Sequence, residues 1–94
     1  MALTKAFTKS DSANYSQILG NNLSGLLTKV IITNNGDTAS ESSLYVVNGM
    51  NYFTGIIQPK ETKILNLDCL LINENLTFTT AQPDVYICIN ILEK

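Results

Sequence analysis

The sequence predicts an all-β fold, a single antiparallel sandwich or barrel of about seven or eight short strands. Apolar and polar residues alternate along short segments between Leu26 and Leu92, and Gly, Pro, Asn and Asp separate these segments. The 94 residues suffice for one domain with one hydrophobic core. We expect an extended N-terminal arm and loop over residues 1–25, followed by a β-sandwich domain over residues 26–94.

The N-terminal segment is polar, with Leu3 and Phe7 as its only large apolar residues before Ser12. This pattern indicates an extended arm or an edge strand. Asp11 and Ser12 have the chemistry of a helix N-cap, so a short helix over Ala13–Leu19, ended by Gly20, is one expectation. A loop over the same residues is the alternative.

The first well-defined strand is Leu26–Thr33, where Lys29 marks the wetter face. Asn34-Asn35-Gly36-Asp37 then predicts a turn, because Asn and Gly tolerate positive φ and Asp can bond its own backbone. Only Asn48-Gly49 separates the segments Leu44–Val47 and Met50–Ile57. That dipeptide predicts a β-hairpin with a type I′ turn.

Pro59 ends the hairpin, and three short strands are expected after it: Thr62–Leu67, Leu70–Ile72 and Leu76–Thr80. The last strand, Val85–Leu92, is apolar on both faces. Such a strand lies in the centre of a sheet or is covered by a partner. Val85, Ile87, Ile89 and Ile91 line one face, and Tyr86, Cys88 and Leu92 line the other.

Catalytic side chains are scarce, so we expect a protein that is not an enzyme and holds no cofactor. The chain has no histidine, which excludes Ser-His and Cys-His nucleophilic sites. The acid pairs Asp37/Glu41 and Asp68/Glu74 lie in predicted turns, where carboxylates are normally solvated. The oxygens near Asn34 and Asp37 lack the spacing of a calcium loop, and two cysteines without histidine cannot complete a zinc site.

The charge and the hydropathy exclude two classes of partner. A net charge of −2 with six scattered lysines and no arginine argues against nucleic acid. No apolar run reaches the ~20 residues that span a bilayer, and the N-terminus lacks a signal-peptide core. We therefore expect synthesis in the cytoplasm and two reduced thiols at Cys69 and Cys88, with a disulfide between them as the alternative.

Aromatic residues cluster around the predicted hairpin, at Tyr45, Tyr52 and Phe53. Tyrosine beside asparagine on an exposed strand can stack on sugars, which favours a carbohydrate- or receptor-binding module as an alternative function. Packing in the core or at a subunit interface explains the same residues without a ligand, because aromatic side chains are favoured in strands.

The order of segments from Leu26 onward carries a further signal. The loop TNNGDTA precedes the segment LYVVNG, and the turn Pro59–Thr62 leads into Leu70–Phe78, which has the pattern of a hairpin. The apolar strand Val85–Glu93 then ends in an acidic residue. This order resembles that of small virion proteins of tailed bacteriophages, over about two-thirds of the chain.

The resemblance implies an immunoglobulin-like or jelly-roll-like sandwich in a non-enzymatic virion protein: a capsid decoration or head auxiliary protein, or a neck or tail component. It implies localisation in the virion, with copies of itself and proteins such as the major capsid protein as partners. It transfers no functional residues. From the residues themselves, we expect the interface to include Phe7, Tyr45, Tyr52, Phe53, Tyr86 and Leu92.

Overall fold

The computed structural model describes residues 2–47 and 49–93, and this part of the chain contains six β-strands. The strands are β1 Ala2–Lys9, β2 Tyr15–Asn34, β3 Ser40–Val46, β4 Asn51–Ile57, β5 Thr62–Thr80 and β6 Val85–Glu93. All six belong to one antiparallel sheet with the order β1-β6-β2-β5-β3-β4. The predicted all-β class is confirmed, and β6 lies inside the sheet between the edge strand β1 and β2.

The prediction of seven or eight strands is wrong because β5 is one strand of 19 residues where three were expected. Asp68 does not end β5. Its side chain is exposed to solvent, and it lies at an irregularity in the pairing of β2 with β5. Asn73, with φ 53°, and Glu74 lie at further register shifts with β2, so the strand bends there and continues.

The predicted helix over Ala13–Leu19 is also wrong. Residues 12–14 form a turn in which Asn14 has φ 54°, and Asn14 donates its backbone N–H to the carbonyl of Ala81 at 3.0 Å. β2 begins at Tyr15 and passes through the predicted boundary between residues 25 and 26 without ending. The expected N-terminal arm is β1, an edge strand paired with β6 along its whole length.

The register divides the sheet into two halves that share the long strands β2 and β5. Half A contains β1, β6, residues 25–34 of β2 and residues 62–71 of β5. Half B contains residues 15–20 of β2, residues 76–80 of β5, β3 and β4. Register shifts between Ile18 and Gly25 mark the bend from one half to the other.

The hydrophobic core collects inward side chains from both halves into one cluster. Leu27, Ile32 and Ile89 come from half A, while Leu44 and Phe78 come from half B, and all five are fully buried. Successive side chains along each strand point alternately toward this cluster and toward the outside. Each half therefore has an outer face that does not contribute to the core.

Buried hydroxyl groups close one end of the core. Thr80 Oγ1 lies 2.6 Å from Ser40 Oγ and 2.8 Å from Ser42 Oγ, and Ser40 Oγ also accepts the backbone N–H of Gln82. Ser10 Oγ accepts the backbone N–H of Val85 at 2.9 Å. Every buried side-chain N or O atom in the described residues has a hydrogen-bond partner, so these polar groups do not penalise burial.

The predicted hairpin is confirmed, since β3 pairs with β4 across a short connection. Val46 donates its N–H to the Met50 carbonyl, and Gly49 donates its N–H to the Val46 carbonyl, both at 2.9 Å. The predicted type I′ turn depends on Asn48, which lies outside the described residues. No helix in the described part of the chain is long and apolar enough to cross a membrane.

Candidate assembly surface

The outer face of half A carries two rows of apolar side chains that run across all four strands. In the first row, Leu92 of β6 pairs with Leu3 of β1 on one side and with Leu26 of β2 on the other, and Leu26 pairs with Leu70 of β5. Cross-strand neighbours on one face lie ~5 Å apart at Cβ, so the four leucines form a continuous ridge.

The second row lies further along the strands and has the same construction. Cys88 of β6 pairs with Phe7 of β1 and with Ile31 of β2, and Ile31 pairs with Ile64 of β5. We call the two rows together the apolar face; it consists of Leu3, Leu92, Leu26, Leu70, Phe7, Cys88, Ile31 and Ile64.

A polar row separates the two apolar rows. It reads Lys5, Asn90, Lys29 and Asn66 from β1 to β5, so lysine and asparagine alternate across the sheet. None of the ion pairs formed in the described residues uses Lys5 or Lys29. The polar row thus brings two ammonium groups between two apolar ridges.

Continuity together with exposure distinguishes the apolar face from single exposed apolar residues elsewhere, such as Ile56. The side chains at its edges are the most accessible: Phe7 is 64% exposed, Leu3 58%, Ile64 55% and Leu70 53%. The central residues, such as Ile31 and Cys88, are half-buried by their neighbours. A continuous exposed apolar surface on a small domain makes this face the candidate interaction site.

A charged pair borders the second apolar row. Lys9 Nζ lies 3.4 Å from Asp84 Oδ1 and 5.7 Å from the centre of the Tyr86 ring. The hydrogen bond to Asp84, followed by the charge of Tyr86, raises the pKa of Lys9 above its usual 10.5. The Tyr86 ring in turn lies 5.8 Å from the Phe7 ring, so the border is continuous with the apolar face.

The structure separates the six predicted interface residues into three groups. Phe7 and Leu92 belong to the apolar face, and Tyr86 borders it. Tyr45 lies on the outer face of half B. Tyr52 and Phe53 pack against the core and are half-buried, with Phe53 opposite the core residue Leu44. The structure brings together Phe7, Tyr86 and Leu92 and places the other three elsewhere.

Most of the apolar face was missing from the predicted interface. The sequence signal for it is the presence of apolar residues on both faces of a strand, as in LLTKVII and KILNLDCLLI. Ile31, Ile64 and Leu70 occupy the outward positions of those segments. Their spacing alone does not show that they lie side by side, because the β2–β5 register decides this.

The outer face of half B carries a row of hydroxyl groups across its strands. Ser43 of β3 pairs with Thr79 of β5 and with Thr54 of β4, and Thr79 pairs with Ser16 of β2. This row of hydroxyl groups is well suited to solvent. A shallow groove of about 280 Å³ lies along it, lined by Asn14, Tyr15, Ser16, Glu41, Ser43, Thr79, Thr80 and Ala81.

The remaining candidate groups are dispersed. Asp37 Oδ1 lies 3.7 Å from Lys60 Nζ at the surface, and no cluster of three or more Cys, Asp or Glu side chains in the described residues can hold a metal ion. Both cysteines are free. Cys69 packs against the core and Cys88 lies on the apolar face, so they occupy opposite faces of half A.

Comparisons with known proteins support the fold and give no family. No protein-family model and no curated protein matches the chain. The Drosophila NLP core, from a study of pentamer formation and histone binding, is similar at 14% identity and a TM-score of 0.55, over 99% of this chain and 98% of that chain. A Bacillus endospore appendage, described as a disulfide-linked pilus, is similar at 12% identity and a TM-score of 0.56, over 99% and 88%.

Solved structures similar to this chain also include the SPBc2 prophage-derived protein YomS, at 13% identity over 97% of this chain and 95% of that chain. Its TM-score is 0.44. The Drosophila NLP core and the Bacillus endospore appendage share the fold with this chain, and their low identities show nothing beyond it.

Proposed function

We propose that this protein is a non-enzymatic structural component that associates with copies of itself and with other proteins of a larger particle. The observation that carries the proposal is the apolar face, on which Phe7, Ile64 and Leu3 are each more than half exposed. Burial of apolar surface contributes about 25 cal/mol per Å². A face with two continuous apolar rows therefore gains much more from a protein partner than from water.

The sandwich architecture is part of the same proposal. The core cluster draws from both halves, and Tyr52 of half B and Cys69 of half A pack against this same cluster. These contacts support two halves packed face to face, in an immunoglobulin-like or jelly-roll-like manner. The apolar face and the hydroxyl row then lie on opposite outer surfaces of the domain.

The particle that we propose is the virion of a tailed bacteriophage, with the protein as a capsid decoration or head auxiliary protein, or as a neck or tail component. The resemblance of the segment order from Leu26 to Glu93 supports this choice. The two similar structures come from studies of pentamer formation and of pili, and self-association of this protein is consistent with them. The major capsid protein is the expected partner besides the protein itself.

The alternative, a carbohydrate-binding module, has less support. Tyr52 packs against the core, and burial raises the pKa of its hydroxyl group above the usual 10.0, with smaller effects from the charges of Cys69 and Glu74. Of the two tyrosines considered for sugar stacking, only Tyr45 remains on an outer surface. Catalysis also has little support, since the chain has no histidine to serve as a base.

Light scattering over a range of protein concentrations tests the proposal. We expect a mass above that of the 10.3 kDa chain, and binding to purified capsids or tails that lack this protein. A strict monomer that also fails to bind the particles would overturn the proposed function. Glycan binding by the monomer would favour the carbohydrate alternative.

A further inference from the structure

We infer that the apolar face binds the same face of a second copy, about a two-fold axis that runs parallel to the strands. This inference rests on the proposed self-association and names the surface and the symmetry that produce it. The axis lies between the two copies, in the middle of half A, where β6 and β2 pair along Gly25–Asn34. Such an interface is isologous, because each copy contributes the same surface.

The polar row supports this symmetry. A rotation about an axis along the strands keeps each residue at its level and reverses the strand order, so β1 lies over β5 and β6 over β2. The row Lys5, Asn90, Lys29, Asn66 then meets its own reverse. Lys5 of one copy faces Asn66 of the other, and Lys29 faces Asn90. Each ammonium group meets an amide oxygen, and no two lysines oppose each other.

The apolar rows are complementary under the same rotation. Phe7 of one copy faces Ile64 of the other, and Cys88 faces Ile31. In the leucine row, Leu3 faces Leu70 and Leu92 faces Leu26, so both rows meet apolar side chains along their whole length. Face-to-face sheets pack about 10 Å apart and about 30° from parallel, an angle that shifts these outer rows by less than one strand spacing.

The size of the face suits a stable dimer. Four strands spaced about 4.8 Å apart, each contributing about eight residues at about 3.3 Å, give a footprint of about 500 Å². The accessible surface of projecting side chains exceeds the footprint, so the face approaches the roughly 800 Å² per partner of a standard interface. An unrelated partner would instead need its own amide or acidic groups spaced to match both lysines.

Two isoleucines of equal exposure provide a matched test. Ile64 is 55% exposed on the apolar face, and Ile56 is 56% exposed on the outer face of half B, where it pairs with Glu41. We expect Ile64→Lys to weaken the dimer at least about tenfold in sedimentation equilibrium, because it places a charge against Phe7 of the second copy. Ile56→Lys leaves the dimer unchanged. Circular dichroism and thermal unfolding verify that both variants fold.

A second pair of variants tests the symmetry. Asn66→Lys places a lysine opposite Lys5 of the second copy and weakens the dimer, whereas Asn66→Asp strengthens it at low salt. Equal effects of these two variants would overturn the two-fold arrangement.

If the wild type assembles and Ile56→Lys dissociates it while Ile64→Lys does not, this inference fails and the proposed function stands. A wild type that is monomeric at all concentrations and does not bind particles contradicts the proposed function itself. A monomer that binds particles through Ile64 overturns this inference, because another protein then covers the apolar face.

Discussion

The side-chain amide of Asn34 donates a hydrogen bond of 3.0 Å to the backbone carbonyl of Ile57 and so joins the ends of β2 and β4. These strands are not neighbours in the sheet order. The same amide donates to the Thr38 carbonyl at 2.8 Å, while its oxygen accepts the N–H of Gly36 at 2.9 Å. One buried side chain thereby holds the turn after β2 and links half A to half B.

Replacement of Asn34 by alanine is expected to lower the free energy of unfolding by about 2–3 kcal/mol, because the buried Ile57 carbonyl, the Thr38 carbonyl and the Gly36 N–H lose their partner. Urea denaturation measures the change. Asn35→Ala is the matched control: its side chain is exposed, and we expect a change within about 0.5 kcal/mol. An equal loss in both variants would show that Asn34 does not link the halves.

Gly25 permits the close approach of β6 to β2 at the bend. Its φ is 155°, and a Cβ at this position would lie 2.5 Å from the Leu92 carbonyl oxygen and 2.9 Å from the Glu93 Cα. Because these are backbone atoms, Gly25→Ala is expected to destabilise the fold by about 3 kcal/mol. The control Gly55→Ala meets only the tip of the Phe53 ring at 3.2 Å and should cost less than about 1 kcal/mol. Thermal unfolding that ranks the two variants the other way contradicts this account.

The buried hydroxyl groups of Ser42 and Thr80 act as a unit, so their substitutions should not be additive. Thr80→Val leaves Ser42 and Ser40 without a shared partner and is expected to cost about 1–3 kcal/mol. Ser42→Ala should cost about 1 kcal/mol. In a double-mutant cycle, we expect the combined loss to be smaller than the sum by about 1 kcal/mol. Simple additivity would mean that the 2.8 Å contact does not stabilise the fold.

Alternation and turn chemistry were sufficient to predict the β class, a place for β6 inside the sheet, the turn at Asn34–Asp37 and the β3–β4 hairpin. The errors in strand number and in the predicted helix have different physical causes. Asp68 and Glu74 interrupt the apolar pattern of β5, but a bulged strand accommodates them without ending. Side chains such as those of Asp11 and Ser12 can stabilise a tight turn as well as the start of a helix. The pairing of β2 with β5 favours the turn, because the residues after it belong to a strand.

The candidate site could be predicted only in part. Phe7 and Leu92 are large apolar residues on edge or doubly apolar strands, which a single sequence can reveal. Ile31 and Ile64 become one surface only through the register of β2 with β5, a contact between residues 33 positions apart. Conversely, Tyr52 is a residue type that is common at interfaces, but its side chain packs against the core.

Tyr52 makes stability depend on pH in the alkaline range. Its pKa is raised above 10.0, first by burial, so the folded chain retains a proton that the unfolded chain loses. Its contribution is therefore complete below pH 10 and is lost as the pH rises through the raised value. We expect urea unfolding to show a smaller alkaline loss of stability in Tyr52→Phe than in the wild type. Identical pH profiles would contradict the assignment.

The most direct test of assembly through the apolar face is the reactivity of the Cys88 thiol, measured by alkylation rate in a Cys69→Ala chain. Cys88 lies in the middle of that face, so a second copy would cover it. We expect its alkylation to slow as the protein concentration rises through the range where light scattering shows assembly. A cysteine placed at Ile56 in a chain without native cysteines should react at a constant rate. An alkylation rate of Cys88 that does not change while the protein assembles would contradict the central claim.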